Sequence, residues 1–170
     1  MQKLLGLMRR CIDDYNMISP GDKIAVGVSG GKDSLVLLVL LSELRKFFNK
    51  PYELRAVTID MGLGMDYSGV AKLCEELDVP YTIVKTEIAP IIFDHRKEKN
   101  PCSMCAKMRR GALNQAILDL GCNKVALGHH YETGVVRGPL IAIRQRRISS
   151  MVSCGSQTVS LYTALAFSPA

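Results

Sequence analysis

Apolar residues recur along the chain in short runs that switch between strand and helix character. Leu4, Met8, Cys11, Ile12 and Tyr15 fall at helical spacing, which predicts an amphipathic helix over residues 3–15, ending before Ser19-Pro20-Gly21-Asp22. A buried strand over 23–28 follows, and then a helix over 32–48 that carries Leu35, Val36, Leu37, Leu38, Leu40 and Leu41. Pro51 marks a break, Leu54–Ile59 reads as a second strand closed by Asp60, and Met61–Gly64 as the loop beside it. A helix over 67–78 has Val70, Leu73, Cys74 and Leu77 on its inner face, and Pro80 introduces a third strand, Tyr81–Val84. Strand, helix, strand, helix, strand in that order implies parallel neighbours joined by right-handed crossovers. A long helix, Ser103–Leu120, stops at Gly121, and a strand over Lys124–Leu127 ends in Gly128-His129-His130. The expected fold class is α/β: a doubly wound parallel sheet with helices on both faces.

Such sheets gather ligands at the carboxyl ends of their strands, where Ser29-Gly30-Gly31-Lys32-Asp33-Ser34, Asp60 and Gly128-His129 all fall. Adjacent glycines allow positive φ and leave the backbone open to a ligand. Backbone N–H groups at a helix start, beside Lys32, make an anion site, and phosphate is the expected anion. A Walker loop would need glycine where Val26 stands and Ser or Thr where Asp33 stands, so the match fails twice. The hexapeptide instead resembles the pyrophosphatase loop, or PP-loop, of enzymes that split ATP between its α and β phosphates. The alternative is a plain strand-to-helix turn with Asp33 or Ser34 near an N-cap. Asp60 is placed to meet the nucleoside part of a nucleotide, or else is an ordinary strand-end aspartate.

With 170 residues and 48% hydrophobic composition, the chain suits one domain, and its formal charge of +6 favours a polyanionic partner such as RNA. No stretch is long and apolar enough to span a membrane and no secretory signal opens the chain, so a cytoplasmic location is expected. In that compartment the six cysteines read as buried residues or metal ligands rather than a disulfide framework. Cys102 and Cys105 form a Cys-x-x-Cys pair at a helix start, a spacing that suits two bonds to one metal, with a redox dithiol or two idle cysteines as alternatives. A structural zinc site would need further ligands, and the chain has no second Cys-x-x-Cys. Lys107, Arg109 and Arg110 follow one turn on, either as a solvated face or as a grip on RNA phosphates or the polyphosphate of ATP, with Arg109 better placed. His95, in the charged run Asp94–Lys99, reads as exposed.

All 16 acidic residues lie at or before Glu132, and 133–170 shows no steady helical or strand period. The expected division is a nucleotide-binding domain over 1–132 and an atypical tail over 133–170. Such a tail would arise from a shifted reading frame or a gene fragment, pack poorly and be trimmed readily by proteases.

Asp14-Tyr15-Asn16-Met17-Ile18 ahead of Gly21-Asp22, the PP-loop, Pro101-Cys102-Ser103-Met104-Cys105 leading to Arg109-Arg110-Gly111, and Ala126-Leu127-Gly128-His129-His130 together resemble the tRNA 2-thiocytidine synthetases, the TtcA-like enzymes, over residues 1–132. The resemblance implies an incomplete PP-loop, adenine-nucleotide-hydrolase-like fold and an ATP- and Mg2+-dependent sulfur transfer to a tRNA base. It also implies a [4Fe-4S] cluster held by three cysteines, Cys102 and Cys105 matching two of them. Ser29, Gly30, Gly31, Lys32, Asp33, Ser34, Asp60, Gly128 and His129 would bind the nucleotide. Lys32, Asp33 and Glu132 would serve catalysis, Arg109 and Arg110 would hold tRNA, and a cysteine desulfurase would supply sulfur to a homodimer. Two departures stand out: Glu132 is followed by Thr133 where the family has a second acid, and Cys154 is the only later cysteine.

Overall fold

The computed structural model describes residues 2–92, 101–130, 139–145 and 148–153, with only the backbone described at 101–102, 129–130 and the last two segments. The elements in chain order are α1 (Gln2–Asp14), β1 (Asp22–Gly27), α2 (Lys32–Arg45), β2 (Tyr52–Asp60), α3 (Ser68–Glu76), β3 (Tyr81–Lys85), a single turn α4 (Ile88–Pro90), α5 (Pro101–Asp119), β4 (Lys124–His130), β5 (Pro139–Gln145) and β6 (Ile148–Ser153). They form one six-stranded sheet in the order β3-β2-β1-β4-β5-β6. The first four strands are parallel, with Gly27 level with Val57 and Leu127, and Asp60 level with Lys85. All four therefore discharge at one edge, as the strand–helix alternation predicts.

Alternation along β1 builds the two faces. Ile24 and Val26 enter a core shared with Met8 and Ile12 of α1, Leu38, Leu41 and Leu44 of α2, and Val70 and Cys74 of α3. Ala25 points the other way, joining Val57, Val125 and Cys122 under Ala116 and Ile117 of α5. Helices thus cover both faces, so the doubly wound expectation holds. α2 is nearly apolar all round because it lies between the sheet and α1, with Leu38, Leu41 and Leu44 fully buried.

Boundaries moved where tertiary pairing overrides local pattern. β4 runs three residues past Leu127 because β5 pairs with it antiparallel, from Lys124 opposite Gln145 to His130 opposite Pro139. β5 and β6 pair antiparallel in turn, Leu140 opposite Ser153. Neither strand was expected from the sequence. The PP-loop side of β4 therefore borders β1, and its other side borders a hairpin.

Candidate functional site

The chain leaves β1 along a fixed path. Val28 N donates to Val57 O at 2.8 Å. Thr58 Oγ1 then donates to Val28 O at 2.7 Å, and Tyr81 Oη to Thr58 Oγ1 at 2.9 Å. Beyond Val28 the loop wraps around one buried hydroxyl: Ser34 Oγ donates to Gly31 O at 2.8 Å and accepts from Ser29 N at 3.3 Å. Gly30 sits at φ +80°, a conformation that a side chain would strain. Gly31 is the N-cap of α2, and no side chain caps it. Ser29, Gly30, Gly31 and Lys32 are exposed while Ser34 is buried. The result is a turn braced from inside, with uncapped N–H groups and an ammonium facing out at the positive end of a 14-residue helix. Those are the requirements of a polyphosphate cradle.

Gly128 explains how α2 reaches that position. A Cβ there would lie 2.8 Å from Asp33 O and 3.0 Å from Ser34 N, so the first turn of α2 rests directly on the backbone of β4. This packing role accounts for the glycine by itself. His129 follows at the same edge, its backbone paired with Leu140.

At the end of β2, Asp60 organises its own loop. Its Oδ1 accepts from Gly62 N at 3.1 Å, and its carbonyl accepts from Thr86 N at 2.9 Å and Thr86 Oγ1 at 2.7 Å. Tyr67, at the start of α3, bonds to the same carboxylate. Its phenol is raised above the usual tyrosine range first by burial, then by the charge and hydrogen bond of Asp60, with Arg109 opposing. Asp60 and Tyr67 thus join the end of β2 to the start of α3, with the charge of Arg109 on α5 acting on the same phenol. Asp60, Met65, Tyr67, Ile83 and Lys85 line a recess of about 330 Å³. Tyr67 was missed in the sequence; its place at the first position of the helix expected over 67–78 gave no sign of the carboxylate it meets.

α5 runs antiparallel to the strands, which puts its amino end, with Cys102 and Cys105, at the same edge. Cys105 is half-buried and its thiol donates to Met61 Sδ at 3.6 Å, directly after Asp60. Cys11, Cys74 and Cys122 are buried in the cores, away from this edge. Burial raises the Cys74 thiol and, more than the opposing Arg55 and Lys23, the Cys122 thiol, so both stay protonated and inert. Among the described residues no group of three His, Cys, Asp or Glu side chains could hold a metal. Lys107, Arg109 and Arg110 are exposed on α5. Glu132, His95 and Cys154 lie outside the described residues, as does most of the 133–170 stretch. No described helix is long and apolar enough to cross a membrane.

The PP-loop domain family matches residues 5–161. A tRNA-cytidine(32) 2-sulfurtransferase of Geobacter sulfurreducens is 41% identical over 133 residues, 77% of this chain and 52% of that protein. The chain therefore spans about half the length of the curated relatives it matches. Among solved structures, the U34-tRNA thiolase NcsA from Methanococcus maripaludis with its [4Fe-4S] cluster superposes with a TM-score of 0.65 at 30% identity, over 76% of this chain and 44% of that one. An NH3-dependent NAD synthetase from Campylobacter jejuni shares the fold at a TM-score of 0.52 and 20% identity, over 73% of this chain and 54% of that one. With the braced Ser29–Ser34 loop at the carboxyl edge of a parallel sheet and a family match over residues 5–161, this chain belongs to the PP-loop domain family.

Proposed function

We propose that this chain carries the ATP-binding, base-activating part of a tRNA sulfurtransferase of the 2-thiocytidine type. The observation that carries the reading is the shared edge: the PP-loop follows β1, and at the carboxyl end of the neighbouring parallel strand β2 Asp60 is followed by Met61, which the Cys105 thiol meets. A curated relative named as a tRNA-cytidine sulfurtransferase and a thiolase neighbour support it.

A pyrimidine C2 oxygen is a poor leaving group. In the reaction read here that oxygen attacks the α phosphorus of ATP, and the bond to the β phosphate's bridging oxygen breaks, releasing pyrophosphate. Sulfide then adds at C2 and AMP departs with the original oxygen. Lys32 and the N–H groups of Gly30 and Gly31 face the charge that builds on pyrophosphate as it leaves, in positions fixed beforehand by Ser34. Asp33 would hold Mg2+, and Glu132 would serve as a general base. The recess beside Asp60 has room for a nucleoside, and Arg109 and Arg110 would meet tRNA phosphates.

Cys105 and Cys102 would be two ligands of a cluster: the Cys105 thiol is not sealed in a core as those of Cys11, Cys74 and Cys122 are, and Cys102 lies three positions earlier on the same helix. The third ligand would come from outside the described residues. When bound, a [4Fe-4S] cluster would supply a soft metal centre able to hold sulfide. A cysteine desulfurase as sulfur source, a homodimer, a cytoplasmic location and a boundary at residue 132 belong to the same proposal. Reading the coding DNA past codon 132 in the other two frames tests that boundary; finding a second acid and a further cysteine there supports it.

Anaerobic purification with iron and sulfide analysis, followed by ATP–pyrophosphate release with and without tRNA, tests the function. Iron and sulfide lost in Cys102→Ala and Cys105→Ala, with pyrophosphate release lost in Lys32→Ala, is the expected result. Pyrophosphate release without bound iron would instead mark a different PP-loop ligase, and nucleotide binding without release an inert fragment.

A further inference from the structure

We propose that Met61 is a positioning residue for Cys105, holding its thiol against the end of β2 before any metal arrives. Cys105 Sγ donates to Met61 Sδ at 3.6 Å, a soft contact between a weak donor and a polarizable acceptor. A cysteine on a helix surface has alternative staggered rotamers, and this contact selects the one facing the sheet edge. Met61 is itself immobilised on both sides. Ala89 N donates to Met61 O at 3.0 Å, and the next residue, Gly62, donates to Asp60 Oδ1 at 3.1 Å. Gly62 sits at φ +80°, and a Cβ on it would lie 3.0 Å from Thr86 O and 3.4 Å from Pro90 Cδ. The loop that presents the thioether is thus pinned by Asp60, α4 and the residue after β3. Through it, the carboxylate beside the nucleotide edge and the thiol on α5 belong to one rigid assembly.

The significance of this contact for sulfur transfer rests on reading Cys102 and Cys105 as cluster ligands; the contact itself does not. The test uses the full chain, anaerobic and free of cluster. Alkylation of Cys105 by iodoacetamide at one fixed pH is followed by mass spectrometry in wild type, Met61→Leu and Met61→Ala. Leucine keeps most of the bulk and removes the sulfur. Release of a weak hydrogen bond of this kind should speed Cys105 alkylation by roughly threefold in Met61→Leu and more in Met61→Ala. Cys74 and Cys122 should stay unreactive and the melting temperature of Met61→Leu should match wild type. Iron and sulfide uptake on reconstitution should be slower in both variants. Wild-type alkylation kinetics in Met61→Leu would overturn the proposal. Faster alkylation in that variant, in a chain whose wild type takes up no iron, would leave the Met61 contact standing and remove the cluster reading instead.

Discussion

Lys124 places its ammonium 2.6 Å from the Asp22 carboxylate, joining the first residues of β4 and β1 at the edge of the sheet opposite the PP-loop. Both side chains are nearly out of water, at 4% and 6% exposure, so the pair stands or falls on its hydrogen bonds. Those are well supplied: Asp22 accepts from Ser19 N at 2.6 Å and Asn123 Nδ2 at 2.8 Å, and Lys124 also donates to Met17 O at 2.7 Å. The pair therefore ties the α1–β1 turn to β4, and through β4 to the glycine on which α2 rests. Removing one partner leaves the other charged and buried, a loss of about 3–5 kcal/mol. Lys124→Met should show that loss in urea denaturation, and Asp22→Leu combined with Lys124→Met should recover most of it. A double variant no better than the single would mean that the bonds to Ser19 and Met17, rather than the charge pair, carry the stability.

Acid should act on the same pair. Burial alone would raise the Asp22 carboxyl, but Lys124, Ser19 and Asn123 together outweigh it and hold the group below the ordinary aspartate range. A depressed folded pKa means that the stabilisation is fully present above the unfolded value, about 3.9, and is lost as pH falls through the folded value. Unfolding free energy measured from pH 6 downward should accordingly fall more steeply below about pH 4 in wild type than in Asp22→Asn, by up to about 1.4 kcal/mol per pH unit. Parallel curves would show that Asp22 does not titrate in this window.

Gly128→Ala tests how the PP-loop helix is seated. The new methyl would meet Asp33 C and O and Ser34 N, all backbone atoms that cannot swing away, so α2 or β4 must shift at a cost of about 1–3 kcal/mol. Because the displaced turn is the one offering N–H groups to phosphate, ATP affinity measured by calorimetry should drop by roughly tenfold. Gly6→Ala is the contrasting control: it lies inside α1 with nothing within 4 Å, and alanine there should stabilise by about 0.5–1 kcal/mol without touching nucleotide binding.

How far these features could be read in the sequence depends on whether they are local. The run Ile24–Val28, the paired glycines and the apolar α2 announce a strand, a turn and a helix because period and punctuation change within a few residues. Asp60 and Gly128-His129 could likewise be placed at the edge of the PP-loop, since parallel topology brings all strand ends together, whereas the arrival of Cys105 at that edge came only with the structure. What could not be read is which side chain meets which. Met61 sat in a nominal loop and Tyr67 at the first position of an expected helix, and their partners lie on α5 and β2. The Ser34 hydroxyl also spans its own loop, a role set by the turn of the backbone that residue type did not announce. β5 and β6 escaped notice because 133–170 lacks the alternation that a half-buried strand usually shows, and their place in the sheet comes from pairing, β5 with β4 and β6 with β5.

Ser34 and Lys32 separate bracing from binding in the loop. The Ser34 hydroxyl is buried, donates to Gly31 O and accepts from Ser29 N, while Lys32 is exposed at the mouth. Ser34→Ala removes the hydroxyl that bridges Ser29 N and Gly31 O, while Gly31 O keeps its bond from Leu35 N, so it should lower stability by about 0.5–1.5 kcal/mol and weaken ATP as well, because the loop's N–H groups are no longer held in place. Lys32→Ala removes an exposed side chain on the first turn of a helix and should leave the melting temperature close to wild type. Its effect should appear in pyrophosphate release, where the lost ammonium faced the developing charge, with a rate loss of roughly a hundredfold or more. Thermal melts and pyrophosphate-release assays on the two variants therefore give opposite patterns. A Lys32→Ala protein that melts early yet releases pyrophosphate at the wild-type rate would make the loop a structural turn rather than a phosphate site.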